Sequence, residues 1–166
     1  MYKAPRRILC ILENAGAGSG RHVVDLSRGL IERGHDVSLL FYRSRLEGWF
    51  RREIETISGL GAATIDMRSG IGPSDLASLR EARRYVREHG PFDIIHGHSS
   101  KGGALARLGT RSEDAVRVYT PHALYTLGCA PRSARGFFFG YLERVLARRC
   151  EGIICVSSAE RRHALE

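Results

Sequence analysis

Short apolar runs alternate with stretches of helical periodicity along the whole chain. Apolar runs of this length predict buried strands, whereas apolar residues spaced three or four positions apart predict amphipathic helices. Predicted strands cover residues 8–12, 37–41, 62–65, 92–96, 116–120 and 153–156. Predicted helices lie near residues 23–34, 46–57, 73–89, 102–108 and 138–146, and a further helix begins at Ser158. Strands that alternate with helices form right-handed βαβ units, so we predict an α/β fold with a doubly wound parallel sheet of about six strands.

Glycine and proline mark the ends of these elements. Gly34 ends the first helix, Pro73 opens the third, and Gly90 followed by Pro91 stops it. No internal repeat and no low-complexity linker interrupts the pattern. Residues 1–166 are therefore predicted to form one domain.

The basic charge of the chain narrows its candidate partners. The sequence has 26 basic and 18 acidic residues, a formal net charge of +8, and every basic residue except Lys3 and Lys101 is an arginine. Such a surface suits phosphorylated ligands, an anionic membrane or nucleic acid, although an arginine-biased genome would produce the same composition. The arginines are spread along the chain, which argues against a dedicated nucleic-acid tail, so no nucleic-acid partner is expected.

The apolar runs and the cysteines indicate a cytoplasmic protein. No run approaches the roughly 20 apolar residues of a membrane span, and the run at residues 8–12 is too short for the core of a signal peptide. The four cysteines contain no C-x-x-C pair, which excludes a zinc ribbon or a dithiol redox motif. Cys10 and Cys155 fall inside apolar strand patterns and are expected to be buried thiols.

A glycine-rich loop follows the first strand, at residues 13–20, and opens the first helix. Glycines allow close backbone approach, and a helix N-terminus offers free N–H groups to an anion. A dinucleotide fingerprint fails because Arg21 stands where its third glycine belongs. A methyltransferase turn for S-adenosylmethionine is similar, but Glu13 is one residue too far upstream and no acidic residue ends the second strand. A loop for phosphate and sugar, or a tight turn alone, remains open.

Polar side chains follow the fourth and fifth predicted strands. His96 and His98 are two residues apart and face one way on a strand. No cluster of cysteines or carboxylates accompanies them, so no metal site is predicted. Ser99, Ser100 and Lys101 begin the next helix and suit phosphate or sugar hydroxyls. His122 comes just past the fifth strand, where it would point into a ligand crevice.

Taken in order, these motifs resemble the N-terminal half of family 4 glycosyltransferases. The matching segments are residues 18–37, 93–103, 119–122 and 142–161. The resemblance covers nearly the whole chain and is strongest to bacterial members that build polysaccharides or lipid-linked oligosaccharides. It implies the Rossmann-like, acceptor-side half of a GT-B fold. The second domain, which holds the nucleotide sugar and the family's E-x7-E element, is expected to be absent here. The same spacing at Glu47 with Glu55 and at Glu143 with Glu151 is therefore interpreted as chance.

The resemblance also implies an activity and a set of site residues. A hexose would pass from a nucleoside-diphosphate sugar to a glycan or lipid-linked acceptor with retention at the anomeric carbon, and no metal or other cofactor would be required. His122 would be the catalytic histidine that contacts the transferred sugar. Substrate and phosphate contacts would come from Gly18, Ser19, Gly20, His98, Ser99, Ser100 and Lys101. The present chain alone is expected to be inactive.

An arginine-flanked apolar stripe in the second helix suggests a membrane or acceptor contact. Its residues are Arg45, Trp49, Phe50, Arg51 and Arg52. Such a stripe can lie on an anionic membrane surface, on the inner face of the cell membrane, although core packing explains it equally well. Three other functions stay open: a small methyltransferase dependent on S-adenosylmethionine, a non-catalytic module that binds sugar or phosphate, and a nucleic-acid-binding protein.

Overall fold

Six parallel strands form one sheet in the order β3-β2-β1-β4-β5-β6. The structure is a computed structural model that describes residues 4–43, 47–66, 72–109, 114–130 and 133–165. The strands are β1 (Arg7–Leu12), β2 (Asp36–Tyr42), β3 (Gly61–Ile65), β4 (Ile94–His98), β5 (Val116–Thr120) and β6 (Gly152–Ile153). This confirms the predicted doubly wound parallel sheet, with the strand order of a Rossmann-like fold.

Helices connect successive strands, and a last helix follows β6. They are α1 (Ala17–Glu32), α2 (Gly48–Glu55), α3 (Ser74–His89), α4 (Ser99–Gly109), α5 (Ala134–Ala147) and α6 (Ser158–Leu165), with a short 3-10 helix at Tyr125–Gly128. Ser133 caps α5 by accepting a hydrogen bond from the Gly136 amide at 3.1 Å. Among the described helices, none has the length and apolar character needed to cross a bilayer.

The central strand β1 divides the core into two layers because its side chains alternate between the faces of the sheet. Ile8, Cys10 and Leu12 pack with the buried residues of α1 and α2. Leu9 and Ile11 pack on the opposite face with buried residues of α3 and α4. A strand covered on both faces is apolar at every position, which is why β1 appears in the sequence as an unbroken apolar run.

The last strand is shorter than its apolar run predicts. β6 lies at the sheet edge and pairs only with β5, through Val118 opposite Gly152 and Tyr119 opposite Ile153. Cys155 follows its end and is only partly buried, so the prediction of a buried thiol is wrong there, whereas Cys10 is fully buried. An edge strand has a neighbour on one side only, so the pairing of β6 depends on β5 alone.

An ion pair between a fully buried arginine and a partly exposed glutamate joins α5 to the rest of the fold. The Arg107 side chain in α4 has no exposed surface, and its Nη1 lies 2.8 Å from Glu143 Oε2 in α5. The same guanidinium stands 4.0 Å from the ring centroid of Tyr119 in β5. Glu143 therefore has a structural partner, as does Glu151, whose carboxylate accepts the Arg117 amide of β5. The E-x7-E spacing of these two glutamates thus corresponds to two separate packing contacts.

Helix α4 lies unusually close to β4 because glycines face each other across the contact. A Cβ built on Gly97 in β4 would stand 2.6 Å from the Gly102 carbonyl oxygen and 2.6 Å from the Gly103 Cα. A Cβ on Gly103 would overlap the Tyr119 ring. Contacts this short with backbone atoms require the helix to move, so side chains larger than hydrogen cannot be accommodated at the contact.

We predict that Gly97→Ala destabilises the fold by about 1–3 kcal/mol, the usual cost of overpacking a filled contact. Urea denaturation monitored by circular dichroism would measure the change. Gly18→Ala is the matched control, because a Cβ on exposed Gly18 meets nothing within 4 Å. Equal midpoints for wild type and Gly97→Ala would contradict the close contact.

Candidate active site

The candidate site lies at the carboxyl ends of β1 and β4, where the strand order changes direction. In open parallel sheets the crevice at this point is where ligands bind. The loop after β1, the first turn of α4 and the loop after β5 surround it. Across its base, the Lys101 amide at the start of α4 donates to Glu13 Oε2 at 2.9 Å. This hydrogen bond holds the loop after β1 against α4.

Three histidines from three different elements meet in the crevice. His22 lies in the second turn of α1, His98 ends β4, and His122 follows β5. His98 Nδ1 and His122 Nε2 are 3.1 Å apart, at hydrogen-bond distance. The His22 ring centroid lies 4.9 Å from that of His122 and 5.8 Å from that of His98. We call His22, His98 and His122 the histidine cluster.

Burial and neighbouring histidines lower the pKa values of His98 and His122. The His122 pKa is lowered to about 4, first by burial and then by the neighbouring His22, while Glu160 acts in the opposite direction. The His98 pKa is held well below its usual value, first by burial and then by His96, His122 and His22. His96 and His98 lie on one face of β4, as their spacing predicted, with ring centroids 4.0 Å apart and the rings tilted by 34°. The His96 pKa is lowered to about 4, first by burial and then by His22 and His122. At neutral pH His98 and His122 therefore offer lone pairs and N–H donors to a ligand.

The loop that carries His122 has a backbone that glycine would normally occupy. His122 and Ala123 have φ values of 56° and 84°, and Ser99 has a φ of 61°. Among the described residues these are the non-glycine positions with positive φ, and all three lie just after the carboxyl ends of β4 and β5. A left-handed conformation costs such residues about 1–3 kcal/mol each and persists only where the surroundings impose it.

The carboxylate of Glu160 imposes this conformation from α6. Its Oε1 accepts hydrogen bonds from the Ala123 amide at 2.7 Å and the Leu124 amide at 3.2 Å. Its Oε2 accepts from the Val156 amide at 2.8 Å. Glu160 is 2% exposed, so these three amides replace the water that a carboxylate would otherwise need. Glu160 is thus a positioning residue for His122.

The glycine loop divides into a structural part and an accessible part. A Cβ on Gly20 would overlap the Ala15 carbonyl, so Gly20 is required by packing between α1 and its own loop. Gly18 is exposed, with open space where a Cβ would stand. The Ser19 hydroxyl donates to the Asn14 carbonyl at 2.9 Å, which shapes the loop. Of the three predicted contact residues here, Gly18 has the most open approach.

The first turn of α4 is engaged by carboxylates. The Lys101 ammonium forms an ion pair with Asp75 of α3, and the Lys101 amide is held by Glu13. A phosphate at this helix end would have to displace those carboxylates. Ser100 and Lys101 also line a largely apolar cavity of about 350 Å³ between α3, α4 and α5, whose walls include Leu79 and Phe139. Ser99, the first residue of α4, lies on the crevice side of this turn, and its φ of 61° is in the left-handed region.

Comparison with known sequences assigns the chain to a family. The profile of Glycosyltransferase Family 4 matches residues 16–166. The chain belongs to glycosyltransferase family 4. Among proteins of curated function, none matches the sequence. The family assignment confirms the resemblance inferred from the motifs.

Solved structures with the same fold include a glycosyltransferase and other longer chains. A glycosyltransferase from Rickettsia africae superposes with a TM-score of 0.75 at 18% identity, over 99% of this chain and 40% of the other. HepE from Anabaena, in complex with UDP and glucose, gives 0.70 at 14% identity over 96% and 40%. MurG from Acinetobacter baumannii gives 0.62 at 15% identity over 93% and 42%. This family 4 chain therefore has the fold of one GT-B half and spans about two fifths of these structures.

The predicted membrane or acceptor stripe is divided between the core and the surface. Phe50 is fully buried and packs with the core layer of α1 and α2, so its predicted role as a surface contact is wrong. Trp49 is partly buried under the Arg21 guanidinium, 4.9 Å from its ring, and donates to Glu47. Arg51 and Arg52 are exposed on α2, and Arg45 lies outside the described residues.

Two site residues, His22 and Glu160, are absent from the residues predicted by sequence. His22 lies in an ordinary amphipathic helix, and no local pattern distinguishes it. Glu160 follows Ser157 at the spacing of a capping box, and the Ser157 hydroxyl does accept the Glu160 amide at 3.1 Å. That pattern predicts a local role, whereas the carboxylate bonds the loop after β5. Both residues are found only once the fold brings distant elements together.

We predict that Glu160→Gln loosens the loop around His122. The amide NH2 group would replace a carboxylate oxygen and face a backbone N–H donor, which leaves at least one buried amide unsatisfied at a cost of about 1–3 kcal/mol. Hydrogen exchange measured by NMR should show reduced protection at Ala123, Leu124 and Val156. Glu32→Gln, at an exposed end of α1, is the control. Unchanged protection at these three amides in Glu160→Gln would refute the positioning role.

Proposed function

We propose that this chain is the acceptor-side half of a retaining glycosyltransferase, which moves a hexose from a nucleoside-diphosphate sugar to a glycan or lipid-linked acceptor. The observation that carries the proposal is the placement of His122. A neutral imidazole stands in the crevice at the change of strand order, on a loop held in a left-handed conformation by a buried carboxylate. Membership of glycosyltransferase family 4 supports the transfer chemistry.

The proposed mechanism assigns His122 to the reacting sugar. As the bond between the sugar and the diphosphate breaks, negative charge grows on the departing phosphate and positive charge on the sugar ring. A fixed neutral imidazole can hydrogen-bond a sugar hydroxyl and hold the ring while this charge develops. Gly18 leaves room beside the N-terminus of α1, whose amides suit the phosphate. No metal ion takes part in this scheme.

The cavity between α3, α4 and α5 supports an acceptor with an apolar portion. Its volume is about 350 Å³, and Leu76, Leu105 and Leu142 are among its wall residues. Lys101 and Asp75 supply a polar edge near the N-termini of α3 and α4. An acceptor with an apolar chain and a polar sugar end matches this combination better than a free sugar does.

We propose that the protein acts in the cytoplasm and binds the inner face of the cell membrane as a peripheral protein. Exposed Arg51 and Arg52 on α2 support electrostatic attraction to anionic lipids. Phe137 and Tyr141 on α5, which are 80% and 64% exposed, offer a second apolar contact. Nucleic acid is not proposed as a partner.

We expect His122→Ala to lower kcat on the order of 10²-fold or more in the two-domain protein that this proposal requires, because a contact made to the reacting sugar is lost. The assay would monitor nucleotide release with a panel of nucleoside-diphosphate sugars, and NMR of the product would report anomeric retention. His89→Ala, which removes an exposed imidazole on α3, is the control. A His122→Ala enzyme with more than half the wild-type kcat would contradict the proposal. The 166-residue chain alone should show no transfer.

For the membrane contact, we expect Arg51→Gln/Arg52→Gln to weaken binding to vesicles that contain anionic phosphatidylglycerol. Each cation lost near the surface should weaken the free energy of vesicle binding by about 1 kcal/mol, so the vesicle-bound fraction should fall. Co-sedimentation would measure the bound fraction, with neutral phosphatidylcholine vesicles for comparison. Arg84→Gln/Arg87→Gln, which removes two exposed charges from α3, is the control. Equal losses in the two double variants would show general charge attraction and no specific α2 contact.

A further inference from the structure

The histidine cluster has the geometry of a metal-binding site. Each of the three residues His22, His98 and His122 can offer one ring nitrogen, and these nitrogens all lie within 4.8 Å of one another. His98 Nδ1 and His122 Nε2 are already 3.1 Å apart. Ligands at about 2.0–2.1 Å from a tetrahedral ion stand about 3.3 Å from one another. One pair therefore has nearly the required separation, and the His22 nitrogen lies within 4.8 Å of both.

The cluster also contains a polar atom without a satisfying partner. His98 is fully buried, and its Nε2 has no hydrogen-bond partner among the described residues. The desolvation cost of this nitrogen would be removed by a ligand that contacts Nε2 itself, whereas an ion held by Nδ1 would fix the tautomer with the proton on Nε2. The rings of His22 and His122 are half-buried, so an ion can reach the cluster from the crevice.

We propose that His22, His98 and His122 form a binding site for a divalent transition-metal ion of the zinc type, with a fourth coordination position open to the crevice. The three ligands come from α1, β4 and the loop after β5, all positioned by the main sheet. Three protein ligands and one open position make up a coordination set that zinc commonly accepts.

The ligand chemistry selects the class of ion. Imidazole nitrogen suits zinc, copper and nickel, whereas magnesium and calcium prefer oxygen ligands. The carboxylate beside the cluster, Glu160, is already engaged by three backbone amides and is not free to bind a hard cation.

Metal binding would oppose the proposed transfer reaction. If His122 contacts the transferred sugar, as the proposed function holds, an ion on its Nε2 removes that contact and occupies the crevice. The site is then inhibitory, and the ion and the sugar exclude each other. The binding test below uses the 166-residue chain without donor or acceptor, so its result is independent of whether the transferase proposal is correct.

Titration calorimetry with Zn²⁺ and visible absorption with Co²⁺ test the site. We expect one Zn²⁺ per chain and intense Co²⁺ bands typical of tetrahedral coordination. His22→Gln should weaken Zn²⁺ binding at least about tenfold, since even outer-shell changes cost this much. His22 is the first choice because it is half-buried on a helix, and circular dichroism checks that the variant folds. His122→Gln provides a second, independent ligand variant.

Control variants and ions make the outcome decisive. His89→Gln should bind Zn²⁺ as the wild type does, and Mg²⁺ should produce no heat. The proposal is overturned if the wild type binds less than one Zn²⁺ tightly, if folded His22→Gln and His122→Gln bind as well as the wild type, or if His89→Gln loses as much affinity as they do.

Discussion

The contact between β4 and α4 is the constraint on which the site depends. Gly97, Gly102 and Gly103 have no side chains, so α4 packs close to β4. The helix begins at Ser99, directly after the last residue of the strand. His98 is therefore both the end of a central strand and the residue before a helix. Its ring is therefore buried in the crevice, where Nδ1 lies 3.1 Å from His122 Nε2. A longer connection between strand and helix would place His98 on a loop and remove its burial.

A second constraint acts from the far end of the described chain. Glu160 belongs to α6, yet its hydrogen bonds determine the backbone of the loop after β5. The loop is strained, and the energy that maintains it comes from a buried carboxylate matched to three amides. Two separate contacts therefore shape the crevice. β4 and α4 position His98, and Glu160 of α6 positions the loop that carries His122.

The sequence predicts most of the fold because the deciding signals are local. Alternating apolar runs identify the strands, and a spacing of two residues places His96 and His98 on one face. The errors occur where the outcome depends on distant partners. An amphipathic stripe shows that Trp49 and Phe50 lie together but not that α1 and β2 cover Phe50. Likewise, Lys101 looks like a phosphate ligand until Asp75, 26 residues away in sequence, is seen beside it. His22 was not predicted because a single histidine in a helix has no pattern.

The ion pair of Arg107 and Glu143 limits the substitutions that this chain can accept at either position. Arg107 is completely enclosed, so the loss of Glu143 alone would leave a cation without solvent or counter-charge, and such a change typically costs about 3–5 kcal/mol. Apolar replacement of both residues together avoids that penalty. The two positions are 36 residues apart in the sequence. We therefore expect them to be substituted together as sequences diverge, so that the contact between α4 and α5 is kept.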